Sequence, residues 1–448
     1  MAPHKLMSTA VVPVLLAWLT ASPASSASGW YPQTSPVTGA LSDVDFVDAN
    51  TGWICGAGGV ILHTSNGGAT WVQQASGTTS DLTALSFVSA NLGFACGQYV
   101  VLRTTDGGAN WQTVLLQGPP PSDPIAFSDV HALDAQNIWA VGHAMIMDYG
   151  AGGIAVVSTD GGSSWSYKGV SCSLPSCHTE MCRIFALSPQ VAFVSGVEYY
   201  GYGDSFGHLW KTSDGGNTFV NVGNPLGAGE IQFLSPSVGY RIAGMVVGNI
   251  DRTTDGGASW TTTTVGDAAG TLHFVDANRG WVVGYGGPGC TPLCGIARTT
   301  DGGATWTPQA SGTTQLLNAV DFVDPWVGAA VGSNGTILHT VTGGESGAEV
   351  AQTERDGGLR LLAPVPNPFS RTVQVGYAAP AGSPVTLGVF DVAGRLVRTL
   401  YRGSAEAGLE CVVWDGSDAS GRRAAPGMYF VRLTTLGEGC RQPLLLVR

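Results

Sequence analysis

Short runs in which apolar and polar residues alternate, each closed by a turn rich in Gly, Asp and Asn, fill the chain from Gly29 to about residue 344. The first complete unit reads DVDFVDANTGWICGAGGVILHTSNGGATW from Asp43. An apolar run ends in Phe, an Asp/Asn turn follows, then an aromatic-containing strand, a Gly, and a second strand that leads into the closing TSNGGATW. Alternation of period two between turn signals predicts β-strands, not helices. The same order returns in LHFVDANRGWVVGY from Leu272 and AVDFVDPWVGAAVGSNGTILHT from Ala319. Each unit is therefore expected to hold four short strands, A to D, with the closing octapeptide as the C to D hairpin.

That octapeptide is the strongest feature of the chain. It recurs as TSNGGATW (64–71), TTDGGANW (104–111), STDGGSSW (158–165), TSDGGNTF (212–219), TTDGGASW (253–260) and TTDGGATW (299–306). A seventh copy, TVTGGES from Thr340, keeps the Thr and the Gly pair but loses the acid and the Trp. Its third positions, Asn66, Asp106, Asp160, Asp214, Asp255, Asp301 and Thr342, are spaced 40, 54, 54, 41, 46 and 41 residues apart. A unit of about 40 residues with insertions is the period of a propeller blade. The expected fold is all-β: a seven-bladed β-propeller followed by a small immunoglobulin-like β-sandwich.

The box chemistry reads as folding chemistry. An Asp or Asn side chain and a Ser/Thr hydroxyl can accept turn amides, paired glycines can take positive φ, and a Trp can bury its ring between sheets. The third-position residues are thus assigned structural roles, since one hairpin per blade distributes them around a rim. The seventh unit stops without its last strand, and Trp30, Tyr31, Pro32 and Gln33 match the WTPQ that starts at Trp306. The N-terminal segment is expected to supply the missing strand and so remove both sheet edges.

From Leu361 the pattern changes. APVPNPFSRTVQVGY, VTLGVFDVAGRLVRTL and CVVWDGSDASGRRAAPGMYFVRL alternate around turns at Ala393-Gly394 and Asp415-Gly416, which indicates a small antiparallel sandwich. The expected organisation is a signal peptide over 1–27, a propeller over 29–344, a linker over 345–358 and a sandwich over 359–448. His4 and Lys5 open the signal, Val11 to Leu19 is its apolar stretch, and Ser22 to Ala27 offers small residues for cleavage near Ala24 or Ala27. Roughly nine apolar residues cannot cross about 30 Å of hydrocarbon. No later stretch is long and apolar enough to do so, and the expected location is outside the cytoplasm, secreted or at the cell surface of a Gram-negative-type bacterium.

Charge and cysteines narrow the function classes. Residues 1–358 carry 10 basic and 26 acidic side chains, a net −16, whereas 359–448 carry 10 basic and 6 acidic, a net +4. An acidic first domain excludes nucleic acid as a partner, because phosphate binding needs clustered Lys and Arg. Nine Cys in an exported chain point to disulfides. The candidates are Cys290 with Cys294, a pair such as Cys172 with Cys182 among the cluster that includes Cys177, and Cys411 with Cys440. Cys55 and Cys96 read as buried thiols. No cofactor or metal site is expected, and the chain is expected to be a monomer.

In a four-stranded blade the A to B and C to D turns share one face, and the extra residues here collect on the other. The insertions lie at 117–126, 143–153, 169–182, 197–207 and 286–294. Long loops on one face of a rigid scaffold are where binding is usually carried. VEYYGYGDSFGH supplies Tyr199, Tyr200, Tyr202 and Phe206, and the adjacent blade supplies His143, Met145 and Tyr149. This group, between blades three and four, is the candidate ligand face for a protein or a glycan.

The unit FVDANxGWxxGxxGxILxTxDGGxTW resembles the Asp-box, or bacterial neuraminidase repeat, superfamily and within it the photosystem II stability/assembly factor family. That resemblance implies a propeller without catalysis that helps assemble a membrane protein complex. Sialidases share the boxes but use an arginine cluster. Here Arg103, Arg252 and Arg298 each precede a box at one repeat position and are expected not to converge. The motifs PNPF, DVAGR, WDG and GMYFVRL resemble the immunoglobulin-like domain of flagellar hook-capping proteins and the C-terminal sorting domain of type IX secretion. The resulting expectation is an exported, non-catalytic binding or assembly scaffold with a tail for secretion or attachment. A secreted glycoside hydrolase, sialidase-like or glucan-degrading, is the alternative.

Overall fold

The computed structural model describes residues 29–115, 125–144, 153–170, 177–200, 205–223, 229–243, 248–265, 270–284, 294–345, 359–362, 364, 367, 369, 371–391, 394–405, 410–435 and 439–447. Seven four-stranded antiparallel sheets, here numbered I to VII, occupy the first 344 residues among these. Their first strands are Leu41–Phe46, Leu82–Phe87, Ile125–Ala132, Cys177–Ala186, Ile231–Phe233, Thr271–Phe274 and Leu317–Phe322. All seven line one central cavity of about 260 Å³. Strand order follows the sequence within sheets I to VI. In sheet VII the outer strand is Gly29–Pro32, paired antiparallel with Ile337–Gly344, so the two ends of the propeller chain meet in one sheet.

Each of the six full boxes builds the same turn. In 104–111 the Thr104 hydroxyl donates to Asp106 Oδ1 (2.9 Å) and accepts the Gly108 amide (2.8 Å). Asp106 Oδ1 also accepts the Asn110 amide at 2.9 Å, and Oδ2 accepts Asn110 Nδ2 at 2.7 Å. Gly107 and Gly108 sit at φ +71° and +87°, a region L side chains rarely adopt. In the third box the Ser164 hydroxyl and amide on Asp160 hold its carboxyl down to about 2. Thr104 is 1 % exposed. Thr104→Val is therefore expected to strand the Gly108 amide and to lower stability by about 1–3 kcal/mol, read as a reduced urea midpoint.

Between sheets a three-ring motif repeats. The strand B aromatic stacks on the Phe that ends the next first strand, as in Trp53 on Phe87 (3.6 Å), Tyr240 on Phe274 (3.5 Å) and Trp281 on Phe322 (3.6 Å). The box Trp then meets that Phe edge-on, as Trp111 meets Phe87 and Trp306 meets Phe274, both at 5.9 Å. In sheet VII the edge-on ring is Trp30, 5.7 Å from Phe322. The degenerate seventh box thus receives its missing Trp from the other end of the chain. A Cβ at Gly280 would lie 2.5 Å from the Phe274 ring, so the residue beside each stacked Phe must be small.

The C-terminal region is a two-sheet sandwich. Arg360–Leu361, Val373–Ala378 and Glu410–Trp414 form one sheet; Leu396–Ser404, Pro384–Asp391, Gly427–Thr434 and Gly439–Leu446 form the other. Phe369, Tyr377, Leu387, Trp414, Val431 and Leu444 are buried between them. Gly394 and Gly416 take positive φ at the two expected turns. Glu345, where the linker was expected to begin, is 7 % exposed and pairs with Arg298.

Two expected disulfides are corrected. Cys182 and Cys440 carry free thiols, as do Cys55 and Cys96. Cys182 lies in a first strand, its thiol donating to Glu180 O at 3.8 Å. Cys440 packs against the sandwich core from one sheet, while Cys411 belongs to a strand of the other. Cys172, Cys290, Met145, Tyr149 and Tyr202 lie outside the described residues, and of Cys294 and Cys411 only the backbone is described.

Candidate functional site

Two places collect polar chemistry: the central cavity and the loop-bearing end of sheets III and IV. In the cavity, the position just before the end of each first strand reaches the backbone of the next sheet. Asp45 accepts the Phe87 amide (2.6 Å), Ser86 that of Ala132 (3.1 Å), Gln232 that of Phe274 (2.7 Å) and Asp321 that of Phe46 (2.7 Å). His131 and His273 bond the backbone of Ala186 and Phe322. Phe185, the seventh member, sets its ring 6.3 Å from Phe233. A second tier repeats the device: Asp43 accepts Leu85 N (2.9 Å), Asp129 accepts Ile184 N (2.8 Å), and Asn318 donates to Leu41 O (2.7 Å).

The electrostatics follow from burial. It pushes Asp43 and Asp321 up to about 7, Asp45 up to about 8 and Asp129 well above the usual carboxylate range, and it pushes His131 and His273 down to about 4. Arg183 bonds Glu230 at 2.9 Å. Asp43, Asp45, Asp129 and Asp321 each hold a backbone amide of a neighbouring sheet, and Glu230 is held by an arginine. Sequence reasoning missed this belt. Its signal was present as the Asp before Phe in DVDF and AVDF, which strict alternation turns towards the axis.

At the loop-bearing end, the first three strands of sheet IV run to 10, 9 and 8 residues (Cys177–Ala186, Ala192–Tyr200, Ser205–Thr212). Their cross-strand register divides the expected ligand residues between two faces. Glu198, paired with Phe206, shares a face with Tyr200, His208 and Trp210. Trp210 packs with Trp139 and Val141, so this face looks towards sheet III. The Tyr200 hydroxyl donates to Glu198 at 2.8 Å, His208 Nε2 is 3.0 Å from the same carboxylate, and Tyr200 meets Phe206 edge-on at 5.4 Å. Phe206 is 56 % exposed. Tyr199 points to the other face, stacked on His178 at 4.7 Å. His143 Nε2 stands 4.0 Å and His178 Nε2 3.7 Å from Glu180 Oε1. Glu180, Glu198 and His208 were not singled out in the sequence, because their pairing depends on a strand extension that no local motif announces.

The arginines before the boxes make separate local contacts, and Arg298 reaches Glu345 at the end of sheet VII. Arg252 Nε bonds the Tyr240 hydroxyl at 3.3 Å, and Arg298 lies 5.5 Å from the Trp281 ring. Among the described residues no three His, Cys, Asp or Glu side chains are grouped to share a metal ion. No helix among them is long and apolar enough to cross a membrane.

Comparison with known proteins agrees with this architecture. The family model for the photosynthesis system II assembly factor YCF48 matches residues 22–166, and that for the FlgD Ig-like domain matches residues 370–439. No curated protein matches the sequence. A structure of YCF48 bound to D1 peptide is 21 % identical with a TM-score of 0.52, over 70 % of this chain and 97 % of that one. YCF48 from Cyanidioschyzon merolae is 21 % identical with a TM-score of 0.50, over 69 % and 98 %. An ancestral GH74 enzyme is 14 % identical with a TM-score of 0.52, over 93 % and 63 %. At such identities the likeness shows the fold alone: a propeller of neuraminidase-repeat type, followed here by an Ig-like domain.

Proposed function

We propose that this chain is an exported, non-catalytic scaffold that holds a protein segment at the loop-bearing end of sheets III and IV, with its C-terminal domain serving secretion or surface attachment. The observation that carries this reading is the prolonged sheet IV, which lifts Tyr199, Tyr200 and Phe206 beyond the blade on a rigid three-stranded base. An exposed aromatic on a rigid strand is a low-entropy anchor for a partner. The peptide held by the similar YCF48 structure favours a protein over a glycan as the occupant. The absence of catalysis is supported by the cavity, where Asp43, Asp45, Asp129 and Asp321 serve as inter-sheet braces.

The test is a peptide array and a polysaccharide panel, read for binding and for hydrolysis, with the mature protein beside Tyr200→Ala and Phe206→Ala. The expected outcome is peptide binding that weakens about tenfold or more in either variant. Turnover of a polysaccharide, retained in both variants and lost in Asp129→Asn, overturns the reading in favour of a glycosidase.

A further inference from the structure

Among the described residues the C-terminal domain meets the propeller at Asn50 and at Trp326, and both flank the seam where the propeller ring closes. Asn50 belongs to the A to B turn of sheet I, the first complete sheet in the chain. Trp326 occupies the equivalent turn position in sheet VII, whose outer strand comes from the N-terminus. The equivalence is visible in their bonds: Asn50 O accepts the amide of Gly67 in its own box at 2.9 Å, and Trp326 O accepts that of Gly343 in its own box at 2.8 Å.

On the sheet I side, Asn50 Nδ2 donates to Asn367 O, and Asn367 N donates back to Asn50 Oδ1 at 3.2 Å. Asn367 is the Asn of the PNPF motif. It is fixed within its own domain, donating to Pro443 O at 3.1 Å and accepting Leu445 N at 2.7 Å. On the sheet VII side, the Arg360 guanidinium lies over the Trp326 ring, 3.3 Å from its centroid. Arg279 and Arg298 approach the same ring at 5.9 and 5.7 Å, and Arg298 is paired with the buried Glu345. A net +4 domain thus rests on a propeller whose residues 29–344 carry 8 basic and 22 acidic side chains, a net −14, so the long-range field favours the contact as well.

We propose that the C-terminal domain is a clasp on its own propeller. It spans sheets I and VII on the box face and holds closed the ring that the strand Gly29–Pro32 completes. That strand is four residues long and, unlike the outer strands of sheets I to VI, does not follow its partner strand in sequence, so only pairing and packing hold it in the ring. The clasp adds a second bridge across the same seam. It also leaves the opposite, loop-bearing face open to a partner, and it gives the domain a role that does not depend on secretion.

Two experiments on the full chain test this. Asn50→Cys combined with Asn367→Cys is oxidised mildly, beside a control that combines Ser163→Cys, in the box of sheet III, with Asn367→Cys. Linked peptides from the first pair alone are expected; equal linkage in both pairs, or none in either, overturns the docking. Hydrogen exchange over residues 29–33 is then compared between the native chain and Arg360→Ala, whose substitution lies outside the propeller. About tenfold faster exchange in the variant is expected, since the clasp sets the local opening of that strand. Unchanged exchange overturns the clasp.

Discussion

Changing Asp45 to Asn is expected to flatten the loss of thermal stability that the native protein shows between pH 6.5 and pH 9. In the fold, burial and the neighbouring Asp321 raise Asp45 to about 8 from an ordinary value of 3.8. Over that interval the folded state holds a proton that the unfolded chain has released. Stability therefore falls as pH rises, and levels off above the folded value. Asp43 and Asp321, both raised to about 7, add slopes of the same sign. His131 and His273 act in the opposite direction. Burial lowers them to about 4 from 6.5, so their contribution is complete above pH 6.5 and is lost as the pH falls towards 4. The two sets oppose one another in mild acid, which leaves the alkaline limb as the clean window. Asn keeps the oxygen that accepts the Phe87 amide and removes the charge. The expected gain in melting temperature at pH 9 is a few degrees, at roughly 2–4 °C per kcal/mol for a domain of this size. Melting curves that stay parallel for the two proteins from pH 6.5 to 9 would sink the account.

The repeat made most of the fold legible. The boxes announce the hairpins by their chemistry, and the WYPQ and WTPQ match announces where the N-terminus goes, because both are local and recur at a fixed period. The cavity was less legible. Asp45, Ser86, His131, Gln232 and His273 share positions but not a residue type, so the common property, a polar atom aimed at the next sheet, becomes visible only when the strands are arranged about an axis. The candidate site shows the same limit. Tyr199 and Tyr200 are neighbours in sequence, yet the pleat sends them to opposite faces. Glu198 and His208 meet across two strands that extend further than the repeat predicts. Cys182 and Cys440 show the reverse error, in which proximity in sequence or composition suggested bridges that the strands do not make.

Trp30→Ala is expected to have the largest effect of any single substitution in the propeller, because it removes a packing element and a closure element together. The ring is 2 % exposed, stands edge-on to Phe322 at 5.7 Å, and donates from Nε1 to Gln309 Oε1 at 3.0 Å. Truncating a buried Trp costs about 3–5 kcal/mol, and the Gln309 oxygen loses its donor as well. Trp71 gives the natural comparison. It is 6 % exposed, meets Phe46 edge-on at 5.9 Å and donates to Gln33 Oε1 at 2.9 Å, but it sits within a continuous chain. Trp71→Ala should therefore lower the melting temperature with exchange accelerated only in the strands around its slot. Trp30→Ala should instead release Gly29–Pro32 from Ile337–Gly344 and expose the edge of sheet VII. Exchange should rise across that sheet and into Leu41–Phe46, whose Phe46 amide is held by Asp321. Trp30→Phe should keep the contact with Phe322 while losing the bond to Gln309, and should fall between the two. Equal and equally local exchange in Trp30→Ala and Trp71→Ala would mean that the ring does not depend on its first strand.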